Sequence, residues 1–131
     1  MRELGFREPV ELTVAAESGM MLVIRLTTAG VVTRAGLSID VMDSLKIAVE
    51  EACSCLIGQD CPPKRIALRF ACEKDALVIA ARALDPCAGG GGMDEVELDV
   101  VRCILESLAD RVTFHVENGR IRAIELRSAL T

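Results

Sequence analysis

Residues 43–58 read DSLKIAVEEACSCLIG and bring two carboxylates, Glu50 and Glu51, close to two thiols, Cys53 and Cys55. On an α-helix, residues four apart lie one above the other, so Glu51 and Cys55 share a face and can share a site. A carboxylate held there could act as a general base, provided a substrate is positioned against it. The plainer reading is that two adjacent glutamates form part of a solvated helix face. Cys53 and Cys55 point about 200° apart on the same helix, which is poor geometry for two ligands of one metal ion. The chain has no CxxC pair, and its single histidine, His115, belongs to another segment. The six cysteines, Cys53, Cys55, Cys61, Cys72, Cys87 and Cys103, are therefore expected to be thiols that pack as small apolar side chains. A redox or metal sensor built on Cys53, Cys55 and Cys61 is the lesser alternative.

The elements that must position these residues follow from periodicity and punctuation. VELTVAA at 10–16 alternates as a strand. Ser18 is placed to cap a long apolar helix, MMLVIRLTTAGVVTRA, which Gly36 can end in the left-handed conformation. Ser38 or Asp40 caps a second helix through Leu56, with Val41, Leu45, Ala48, Val49, Ala52 and Leu56 on one stripe and Gly58 as its stop. After Pro62 and Pro63, RIALRFAC and ALVIAARA form a hairpin around EKD. LDPCAGGGGMD reads as a flexible loop, and Asp94 caps a third helix over roughly 95–109, with Val100, Ile104 and Leu108 at helical spacing. RVTFHVE and RIRAIELRS flank Asn118 and Gly119, a type I′ hairpin signal. The order βααββαββ predicts an α+β two-layer sandwich, one domain over 1–131, with three helices on one face of a mixed β-sheet.

Composition agrees with that architecture and narrows the function. A chain of 131 residues can bury roughly two-thirds of the surface its unfolded form exposes. Its aromatic content is three phenylalanines, so the core must be aliphatic. A formal charge of −5 disfavours the phosphate-tracking surface that nucleic acid requires. No apolar run reaches the roughly eighteen residues of a membrane span, and Met1–Val10 carries charges without an apolar centre, unlike a secretory signal. A cytoplasmic protein with no nucleic-acid or membrane partner is the expectation.

The stretch IRLTTAGVVTRAGLSIDVMDSLKIAVEEAC resembles the first two helices of the anti-sigma-factor serine kinases, bacterial transcription regulators within the GHKL, or histidine-kinase-like, ATPase superfamily. In this reading the likeness covers nearly the whole chain. The family's second helix carries an ExxxN motif, and KIAVEEACSC follows its wording through Glu51. The resemblance implies that the glutamate polarises a nucleophile and that the asparagine binds the Mg²⁺ bridging the ATP phosphates. Glu51 then marks the ancestral catalytic position, and Cys55 stands where the asparagine would be. Mg²⁺ is a hard ion that takes oxygen ligands, and a neutral thiol replaces them badly.

Two further family motifs are altered. The aspartate that accepts a hydrogen bond from the adenine amino group falls on Ile79 or Ala83, according to whether the strand or the tail LDP is aligned. The glycine positions that open the last helix and cradle phosphate fall on Asp99 and Val101. Like unit charges ~6 Å apart at an effective dielectric near 20 repel by about 2 to 3 kcal/mol, so Asp99 would oppose a triphosphate. Gly89–Gly92 lack the Lys and Ser or Thr of a P-loop and read as a flexible replacement for a shortened lid.

The resemblance thus implies an anti-sigma-like regulator, a homodimer, that binds a sigma factor or its antagonist protein, with ATP and Mg²⁺ binding weak or lost. The alternative is an active serine/threonine protein kinase that phosphorylates the antagonist with ATP. Arg25 and Arg34, basic residues on the first helix of an acidic chain, are the candidate partner-binding residues. The plainer reading of both is that they keep an apolar helix soluble.

Overall fold

Gly36 and Ser38 separate two long helices that the amphipathic pattern alone would leave joined. The computed structural model describes residues 5–85 and 93–130. Strand β1 covers Val10–Ala15, and α1 covers Met21–Ala35 after a short 3₁₀ turn at Ser18–Met20. Ser18 therefore does not cap α1: it opens the 3₁₀ turn, and the cap position is Met20, which has no side-chain acceptor to offer. The other end is as expected. Gly36 has φ 85°, and the N–H groups of Gly36 and Leu37 donate to the carbonyls of Thr33 and Val32. A residue with a Cβ is strained in that left-handed turn, whereas glycine is not.

Helix α2, Ile39–Ile57, begins at Ser38, the first of the two expected caps, whose Oγ accepts from the Val41 N–H at 3.3 Å. Its expected stripe is the buried one: Leu45, Ala48, Val49, Ala52 and Leu56 are almost without exposure. Strands β2, Arg65–Glu73, and β3, Ala76–Leu84, form the expected hairpin. Helix α3 covers Glu95–Glu106, with the Asp94 carboxylate accepting from the Glu97 N–H at 2.8 Å. It ends sooner than expected because the Ser107 hydroxyl donates to the Ile104 carbonyl and draws the chain out of the helix. Strands β4, Arg111–Glu117, and β5, Arg120–Ala129, meet at Asn118 and Gly119, both with positive φ, as a type I′ turn requires.

The sheet order is β1-β2-β3-β5-β4, and all its neighbouring pairs are antiparallel. The expected mixed sheet is corrected for a topological reason. Two helices between β1 and β2 return the chain to the end where β1 stopped, so Ala15 lies opposite Arg65 and β2 runs back. The one-helix crossover through α3 would make β3 and β4 parallel, but β5 inserts between them. Helix α2 packs between α1 and α3 and onto β3 and β5. Ile66, Leu68, Phe70, Leu77, Ile79, Ile124 and Leu126 face these helices as the core, and no described helix or strand covers the opposite face of the sheet.

Candidate functional site

Glu50 and Glu51 are sequence neighbours with different surroundings. Helix α2 turns Glu50 toward α1, where its Oε1 accepts from Arg25 Nη2 at 2.5 Å. That hydrogen bond, and then the carboxylate's charge, raise the pKa of the Arg25 guanidinium. Glu51 points to the other flank of α2, half-buried, and makes no ion pair or hydrogen bond with a described residue. Its carboxylate lies close enough to Cys55 to act on the thiol, as the spacing of four requires.

Cys55 itself is 5% exposed and belongs to the hydrophobic core. Its thiol is pushed up to about 11, first by burial and then by the Glu51 charge. Cys53, fully buried on the opposite flank, is pushed up to about 12 by burial and then by Glu50. Both are neutral near pH 7, so neither supplies a thiolate. The wider expectation for the cysteines needs correcting. Cys103 is exposed, because it sits on the outward flank of α3, and Cys61 is disulfide-bonded rather than a thiol. Cys87 and Gly89–Gly92 lie outside the described residues.

The other positions implied by the resemblance fit a nucleotide poorly. Ile79 is 1% exposed and faces the core from β3, and Ala83 is buried beside it on the same face, so neither candidate position offers an acceptor to an adenine amino group. Asp99 is exposed on α3, while Val101 turns inward against the core. The positions that the resemblance implies thus hold a buried neutral thiol in place of an oxygen ligand, apolar side chains in place of the adenine acceptor and an acid on the phosphate helix. Among the described residues no group of three or more His, Cys, Asp or Glu could hold a metal ion.

Both candidate partner-binding arginines are on the surface, and each also has an internal bond. Arg25 is 46% exposed while paired with Glu50. Arg34, in the last turn of α1, donates from Nη1 to the Gly5 carbonyl at 3.3 Å, pinning the segment before β1. Around Arg25, α1 presents Leu22, Val23 and Leu26 to solvent as an apolar strip. The role of Glu50 is legible only in three dimensions, since it lies 25 residues from its partner. Gln59 was missed for the same reason. Its amide accepts from the Ile121 N–H and donates to the Ile121 and Leu56 carbonyls, fastening the end of α2 to β5.

Over 50 residues the chain is 40% identical to the serine-protein kinase RsbW of Bacillus mycoides, a stretch that covers 38% of this chain and 31% of that protein. Over 47 residues it is 45% identical to the serine-protein kinase RsbW of Halalkalibacterium halodurans, covering 36% of this chain and 29% of that protein. A Bacillus cereus protein of the same name is 38% identical over 50 residues. The match thus spans under a third of the length of these relatives. No protein-family model matches the chain. No helix among the described residues is long and apolar enough to cross a membrane.

Proposed function

We propose that this protein is an anti-sigma-like regulator that acts by binding a sigma factor or its antagonist, as a cytoplasmic homodimer, and does so without using ATP. The observation that carries this reading is Cys55, a neutral thiol packed into the core at the position where the resemblance calls for an oxygen ligand to Mg²⁺. Arg25, Arg34 and the apolar strip beside Arg25 on α1 are the docking surface, and Glu51 is what remains of the catalytic helix.

The opposed reading, a serine kinase that phosphorylates the antagonist with ATP, draws support from the name of the relatives and from Glu51, which is left without an internal partner among the described residues. Isothermal calorimetry with Mg²⁺–ATP separates the two. A missing metal ligand, a missing adenine acceptor and a repulsive acid each remove interactions worth about 1 to 3 kcal/mol. Together they move a micromolar site toward or beyond the millimolar range. A dissociation constant tighter than about 100 μM would overturn the proposal.

A further inference from the structure

The open face of the sheet is rich in arginine, although the chain as a whole is acidic. Along β2 and β3, Ile66, Leu68, Phe70, Leu77 and Ile79 face the helices, so the alternate residues face outward. These include Arg65, Arg69 and Arg82, joined across the sheet by Arg111 and Arg127. Asp85, Glu11 and Glu73 pair with Arg65, Arg69 and Arg127, while Glu125 faces His115. On the β1–β3 part of this face Arg69 and Arg82 outnumber Glu11, on a chain whose formal charge is −5.

Across β1, β2 and β3 lies a cleft of about 320 Å³, floored by Ala67 and Ala80 and bordered by Glu11, Thr13, Arg69 and Arg82. An antiparallel sheet that only meets water usually carries longer polar side chains at such inner positions. Here alanines leave a recess between two arginines. Arg69 is held loosely, with Glu11 at 3.7 Å and both side chains more than half exposed. Arg82, opposite Ala67, makes no ion pair or hydrogen bond with a described residue.

We propose that this recess is a second docking surface, separate from α1, which takes an acidic segment of a partner protein with a carboxylate seated between Arg69 and Arg82. Arginine forks suit carboxylates, and the alanine floor lets a peptide backbone approach the sheet closely. Nucleic acid fits the face less well. Phe70 and Phe114 lie on the helix side, the latter beneath Arg102 of α3, so the face has no stacking platform, and Glu11 and Glu125 interrupt any phosphate track.

The test is an NMR titration of the ¹⁵N-labelled full chain with blocked octaglutamate at low salt, with octathymidylate as a comparator. The expected result is saturable shifts at Ala67, Arg69, Ala80 and Arg82. Arg82→Glu and Arg69→Glu should each weaken binding at least tenfold, whereas Arg7→Glu, the same charge change elsewhere on the surface, should leave it within twofold. Shifts centred on α1 around Arg25, no saturable shift, or equal losses for all three variants would overturn the proposal. So would tighter binding of octathymidylate, or shifts at the same amides on raising protein concentration alone, which would assign the face to a second copy. None of these outcomes bears on whether ATP binds.

Discussion

Cys55 decides more than any other residue, because one thiol is at once a helix-face neighbour of Glu51 and a member of the core. Cys55→Asn restores the ExxxN wording but places an amide where the structure gives it apolar neighbours. It should cost about 1 to 3 kcal/mol in urea unfolding, the penalty for a buried amide without partners. It should also yield no ATP turnover, since Ile79, Ala83 and Asp99 are unchanged. Turnover by this variant would show a working kinase. The same burial gives a pH prediction. Cys53 and Cys55 titrate near 12 and 11 when folded, against about 9 when exposed. Between those values the unfolded chain loses the protons first, so folding stability is fully present below about pH 9 and falls as pH rises through about 11 toward about 12. The slope is up to about 1.4 kcal/mol per pH unit for each thiol. Replacing both with alanine should flatten the alkaline limb of a stability-against-pH curve while lowering its plateau.

Helix α3 shows where elements were legible and where they were not. Its cap at Asp94 was readable because an N-cap is a local device, as were the turn at Asn118–Gly119 and the stop at Gly36. Its buried face was not. Val100 and Ile104 repeat at helical spacing, yet Val100 is 54% exposed and Leu105 is fully buried, with Leu98 and Val101 packed beside it. Two apolar stripes lie on this one helix, and which of them meets the sheet depends on contacts with α2 and β4 that no local pattern encodes. Leu105→Ala should therefore destabilise by about 2 to 5 kcal/mol. Val100→Ala should change stability by under about 0.5 kcal/mol. Equal costs in chemical denaturation would mean that the helix is rotated from the position described. The expected mixed sheet failed for a related reason, since the insertion of β5 between β3 and β4 is a choice of pairing and not of propensity. The candidate site divides in the same way. Glu51 and Cys55 were found because they are four apart, whereas the Arg25–Glu50 pair and the recess at Arg82 join residues distant in sequence.

Across the whole molecule, Arg25 has two possible employments, and the fold allows them to be separated. It pairs with Glu50 and so ties α1 to α2, and it also borders the exposed strip Leu22, Val23 and Leu26 that is proposed to meet the partner. Arg25→Glu alone confounds the two, because it sets a second carboxylate against Glu50 as well as reversing the surface charge. Exchanging the pair, Arg25→Glu with Glu50→Arg, keeps an ion pair between the helices and leaves the net charge at −5. An exposed ion pair contributes little to stability, so the exchanged protein should unfold within a few tenths of a kcal/mol of the original. A partner that reads a positive charge at the position of Arg25 now meets a negative one, and electrostatic complementarity acts through such placement and not through total charge. Affinity for a sigma factor or antagonist protein should fall roughly tenfold or more in the exchanged variant, with a slower association rate that shrinks toward the original's as salt is raised. Surface plasmon resonance at two salt concentrations measures both quantities. If binding is retained in full while the fold is intact, Arg25 serves the helix pair alone and the partner docks elsewhere on the molecule.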